Sequence, residues 1–89
     1  MTTQYYKNHP LDQLHNLHQG HMPVQDFIAI FDDLTRRSDV REHHSETITR
    51  FVWGLRPKIK RFMITDPYDL DTVEEAFDVA LRLDLTFKH

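Results

Sequence analysis

Histidine is the residue in this chain with the most scope for chemistry: there are seven in 89 residues, and His15, His18 and His21 recur at intervals of three. On a helix the first two would share a face and offer imidazole nitrogens to a divalent metal, zinc above all. Structural zinc takes four ligands, often thiolates, and no clear fourth partner accompanies this set. Solvent-facing histidines fit the pattern better. His43 and His44 with Glu46 form a weaker group, because adjacent helical side chains diverge by about 100°. Glu74, Glu75 and Asp78 are close enough for acid–base work, yet they open a helix, where the macrodipole favours negative charge, so a solvated face accounts for them. No phosphate-binding loop, nucleophile elbow or other catalytic motif is present. The expectation is a protein that is not an enzyme and needs neither cofactor nor metal.

A basic cluster, Arg56, Lys58, Lys60 and Arg61, precedes an acidic stretch from Asp66 to Asp84. With Gly54, the segment from Thr49 to Met63 imitates a helix-turn-helix whose second helix is basic, the pattern of a small DNA-binding domain. Against it, that helix would span only about two turns by its spacing, Ile59, Phe62 and Met63 must face inward, and the net charge is −3. The other reading is a solvated basic face, or one that meets an acidic face of a neighbouring copy.

The composition bounds what must position these residues. Hydrophobic residues make up 39% and aromatic residues 11%, enough for a compact core without a cofactor. A domain this small buries only roughly 60–70% of its unfolded surface, so partners, including copies of itself, are a natural source of stability. The absence of Cys excludes disulfides, thiolate zinc sites and thiol nucleophiles, and fits a reducing interior. No apolar run approaches the roughly 20 residues of a membrane span, and Met1 to Pro10 has no signal-peptide core. A cytoplasmic chain without a membrane partner is expected.

Two Gly and four Pro divide the chain into pieces of helical length. Leu14 and Leu17 belong to a first helix that Gly20 would cap. After Pro23, the residues Val24, Phe27, Ile28, Phe31 and Leu34 form the strongest 3.6-residue stripe. Asp39 with Glu42 suggests a capping box for a third helix carrying Ile48, Phe51, Val52 and Leu55, ended by Gly54. A fourth helix follows Pro57, with Ile59, Phe62 and Met63 inward. Asp71 or Thr72 caps the last, paired with Glu74 or Glu75; its inward stripe is Val73, Ala76, Phe77 and Ala80, widened by Leu81, Leu83, Leu85 and Phe87. The spacing predicts an all-α bundle of five helices near 11–18, 23–37, 40–53, 57–64 and 72–86, with residues 1–10 as a tail and 11–89 as one domain.

Residue order carries more information than composition. The run Leu17-His18-Gln19-Gly20-His21-Met22-Pro23-Val24-Gln25-Asp26-Phe27, then Phe31 and Leu34, resembles the major homology region that opens the C-terminal domain of retroviral capsid proteins. It is more similar still to its counterpart in Gag polyproteins of gypsy-class LTR retrotransposons. Arg50-Phe51-Val52-Trp53-Gly54-Leu55-Arg56-Pro57 and Asp71-Thr72-Val73-Glu74-Glu75-Ala76 follow in the family's order, so the match runs from about Leu11 to Phe87. Pro23 stands where a capping Ser is usual, and Asp33 where retroviral versions tend to carry Arg before the Leu. The zinc knuckle that binds RNA in Gag proteins is missing, and no protease or polymerase motif is present.

The resemblance implies a capsid C-terminal-type domain that self-associates, as a homodimer or higher assembly alongside other Gag segments, into a virus-like, RNA-packaging shell, without itself contacting nucleic acid. The alternatives are a host-domesticated dimerisation adaptor and the DNA-binding bundle above. Trp53 lies about 100° beyond Val52, with Thr49 and Glu46 one and two turns before it on the same face. In the retroviral relatives this helix forms the two-fold contact, and Trp53 occupies a variable position of Arg-Phe-x-x-Gly-Leu. The expected interface is therefore Trp53 and Thr49, with Glu46 and Arg50 at the rim. For the histidines, excess zinc should leave the melting temperature of the purified chain unchanged; a large rise that His15→Ala removes would reverse the assignment.

Overall fold

The computed structural model describes residues 10–38, 43–65 and 70–87. Five helices lie among them: α1 (Pro10–His15), α2 (Val24–Ser38), α3 (His44–Gly54), α4 (Pro57–Thr65) and α5 (Val73–Thr86). No strand occurs among the described residues, so the fold is all-α as the spacing predicts. Of the expected tail, only Pro10 is described, and it opens α1. No described helix is long and apolar enough to cross a membrane.

The core is organised by aromatic rings. Val24, Phe27, Phe31 and Leu34 are the buried face of α2, and Phe51, Val52 and Leu55 come from α3 and its C-terminal cap. Phe51 stacks on Phe27 with centroids 5.4 Å apart and meets the edges of Phe31 at 5.2 Å and Phe77 of α5 at 4.9 Å. Tilted and edge-on pairs of this kind add about 0.5–1.5 kcal/mol each beyond the area they bury. Leu14 closes one side, and Ile59 and Met63 of α4 the other. Half-buried Leu17, Ile28, Ile48, Val73 and Phe77 pack against this centre.

On α5 the innermost positions are Ala76, Ala80 and Asp84, spaced by four. The alanines let α5 approach closely. Asp84, only 8% exposed, has its Oδ2 3.2 Å from the Val24 amide and accepts its hydrogen bond, so a residue of the last helix caps the second. Pro23 has no side-chain acceptor to offer; the cap comes from 60 residues away.

Several boundaries and faces differ from the sequence reading. The first helix ends at His15 rather than near residue 18, because the Gln19 amide donates to the Gly54 carbonyl at 2.8 Å, and that tertiary bond takes the chain off the helical path. Gly20 therefore caps no helix. It lies in a turn closed by the Met22 amide on the Gln19 carbonyl at 3.0 Å, with φ +56°. The third helix starts at His44, since His43 is extended at φ −68°, ψ 154°; its amide donates to Glu46 Oε1 at 3.1 Å. The suggested Asp39–Glu42 box lies outside the described residues. Thr72 and Glu75 are the pair that caps α5: Glu75 Oε1 accepts from the Thr72 amide at 3.1 Å, and Thr72 Oγ1 from the Glu75 amide at 3.3 Å.

Phe62, read as core, is 45% exposed. Ile59 and Met63, four apart, occupy the inward line of the short α4, which leaves Phe62 at its margin against Phe87, 5.0 Å away. Leu81 and Leu85, read as widening the α5 stripe, are exposed, Leu85 by 63%, because Asp84 holds the inward position beside them. Asp84→Ala should destabilise the fold by about 1–2 kcal/mol through the uncapped α2 amide, and Asp84→Asn, which keeps an acceptor, by less than half of that in denaturant titrations.

Candidate functional site

The α1–α2 connection and the α3–α4 junction are tied together by a buried amide. Gln19 is 1% exposed; its Nε2 donates to the Met22 carbonyl at 2.9 Å and its Oε1 accepts from the Arg56 amide at 2.8 Å. Arg56 closes the clasp from outside, with Nε on the Gly20 carbonyl and Nη2 on the Met22 carbonyl, both at 3.0 Å. Gly54 permits the approach: a Cβ there would lie 2.7 Å from Phe27 Cζ and 3.0 Å from the Leu17 carbonyl oxygen. Gly20 is needed for a different reason, its positive φ, since a Cβ there would meet nothing within 4 Å. The Gln-Gly pair and the Arg-Phe-x-x-Gly-Leu-Arg run are thus two halves of one structural contact, and the basic residue Arg56 belongs to it.

With α3 anchored this way, its outer face is set. Trp53 is 57% exposed, on the face opposite the buried Phe51 and Val52 side. Thr49 and Glu46 are exposed one and two turns earlier, and Arg50 is half-buried beside them. Lys60 of α4 holds its Nζ 4.7 Å above the centroid of the Trp53 ring, a cation–π contact that props the indole at the surface. Grooves flank this ridge. One of about 470 Å³ between α1 and α3 is lined by Leu14, Leu17, His15, His18, Glu46, Arg50 and Trp53. Another of about 290 Å³ towards α4 is lined by Ile48, Val52, Trp53, Met63, Ile64 and Leu70.

The three spaced histidines are split by the fold. His15 and His18 line the first groove across from Glu46, while His21 is exposed in the turn after Gly20. Among the described residues no three His, Cys, Asp or Glu side chains are grouped to hold a metal ion. The basic cluster is divided too. Arg56 is in the clasp, Lys58 holds its Nζ 4.6 Å above the Phe87 ring, Lys60 lies on Trp53, and Arg61 is exposed. Two acids of α5 serve the helix itself: Glu75 caps it and Asp78 pairs with Arg82 at 2.7 Å.

The inward role of Asp84 and the clasp formed by Arg56 escaped the sequence reading. Asp84 interrupts an apolar run, Leu83 to Leu85, at helical spacing from Ala76 and Ala80, which is the signal that marks it. Gln19→Ala should cost about 1–3 kcal/mol by stranding the Arg56 amide, and Gly20→Val about 1–2 kcal/mol by backbone strain, both read as lost unfolding free energy. The family model described as PEG10/RTL1, C-terminal capsid-like domain, matches residues 11–87. No curated protein and no solved structure matches the chain.

Proposed function

The chain belongs to the PEG10/RTL1 C-terminal capsid-like domain family, a Gag-derived structural family, and on that premise we propose that it is the homotypic assembly domain of a retrotransposon-type Gag shell, acting inside the cell. Its self-contact is the outer face of α3, with Trp53 and Thr49 at the centre and Glu46 and Arg50 at the rim. The observation that carries the reading is Trp53: a large aromatic side chain, more than half exposed, on a rigid helix whose opposite side is core. Tryptophan is enriched among the residues that dominate interface energies, and an isologous two-fold contact brings the same patch of each copy together.

Nucleic acid is left to other parts of such a shell. The fourth helix is short, and Arg56, Lys58 and Lys60 make contacts within the domain, a poor arrangement for a recognition helix that must present its cations to phosphates. Sedimentation equilibrium across concentrations should give a dimer or larger species. Trp53→Ala should convert it to monomer while changing the monomer's unfolding free energy by less than about 0.5 kcal/mol, as for a surface substitution. A wild-type chain that stays monomeric at high concentration, or a Trp53→Ala chain that unfolds, would overturn the reading.

A further inference from the structure

Resting on α3 as the self-contact, we infer that Lys60 is a positioning residue for it: its charge, on α4, holds the Trp53 ring out of the grooves on either side, and the affinity of the self-contact depends on that charge through Trp53. The helix fixes where Trp53 emerges, and the side-chain torsions decide where its ring goes. One groove beside it reaches Leu14 and Leu17, the other Val52 and Met63. An indole gains by leaving water, so a ring free to turn would fold into one of them. It is instead 57% exposed, with Lys60 Nζ 4.7 Å above its centroid. The ammonium is attracted to the ring face and keeps its own hydration only at the surface, so the pair is most stable with the indole outside.

The consequence for assembly is one of populations. Side-chain torsions fall into three staggered wells, and only a ring that stays outside the grooves is presented to a second copy. Without the cation the outward position falls to about one well in three, and each copy then binds about threefold more weakly, because apparent affinity scales with the competent fraction. An isologous contact counts that loss in both copies, about tenfold in the dissociation constant. Trp53 acts on the second copy, and Lys60 acts through Trp53 from a neighbouring helix.

Trp53 is the only tryptophan of the chain, so fluorescence excited at the red edge reports this ring alone. Lys60→Met keeps the length of the side chain and removes the charge, Lys60→Gln removes it without adding apolar surface, and Lys60→Arg restores a cation that favours the same ring face. Thermal melts confirm that each variant is folded. In chains diluted to the monomer, acrylamide should quench the Met and Gln variants about twofold less than the wild type, with emission shifted to the blue, and Lys60→Arg should match the wild type. Sedimentation equilibrium should give dimers about tenfold weaker for the Met and Gln variants and within about threefold of the wild type for Lys60→Arg. Equal quenching in every chain means that the ring needs no brace, and overturns the inference even if the dimer weakens, since Lys60 would then touch the second copy directly. Reduced quenching with an unchanged dissociation constant overturns it as well. If Trp53→Ala still dissociates the dimer in either case, the self-contact on α3 stands and only the positioning role falls. A wild type that stays monomeric at high concentration overturns both.

Discussion

The close approach at Gly54 is the constraint from which the rest of the domain follows. Phe27 and the Leu17 carbonyl come so near that position that any side chain would have to displace a fully buried ring or the backbone. That proximity brings the Gly54 carbonyl within 2.8 Å of the Gln19 amide and lets the Gln19 side chain reach the Arg56 amide. A buried primary amide is tolerated only when its polar atoms are paired, and Gln19 pairs both ends across two connections far apart in sequence. Each half of the contact would be strained or unsatisfied without the other.

The orientation of α3 follows from this anchoring. Fixed at its C-terminal end by Gly54 and Arg56, and along its length by Phe51 among the rings of Phe27, Phe31 and Phe77, the helix has little freedom to rotate. Trp53 must then point outward, between two grooves, with Lys60 over its face. Under the proposed assembly role, the chemistry lies in the surface rather than in a cavity of reactive groups. What such a surface requires is rigidity, so that binding does not have to order it first. Motifs that look functional in the linear sequence, Gln19-Gly20 and Arg50 to Pro57, supply that rigidity, and Trp53, within the second of them, is the large aromatic residue left exposed.

The charged residues show the same division. Arg56 and Glu75 act within the fold on backbone groups, Arg56 on carbonyls of the α1–α2 connection and Glu75 on the amide at the start of α5. Lys58 sits on the ring of Phe87 at the margin of the core, and Lys60 on the exposed ring of Trp53. In a cluster that reads as a nucleic-acid footprint when counted along the chain, Arg56, Lys58 and Lys60 make three separate contacts within the domain once the chain is folded, and Arg61 is exposed.

Periodicity alone determined the all-α architecture and most of the core, because spacing at 3, 4 and 7 residues can bury a continuous stripe only on a helix. Val24, Phe27, Phe31, Phe51, Ile59 and Ala80 are placed by that logic, and Trp53 is placed off the stripe by it. Residue order determined the family. Tertiary structure decided what depends on partners distant in sequence. The first helix stops at His15 because the Gln19 amide is claimed by Gly54; Asp84 turns inward because Val24 has an amide that Pro23 cannot cap; Phe62 is left at the surface because Ile59 and Met63 fill the space α4 can reach. Hydrophobic pattern is a local property and survives in the sequence, whereas a hydrogen bond closed over 36 or 60 residues exists only when both ends have been brought together.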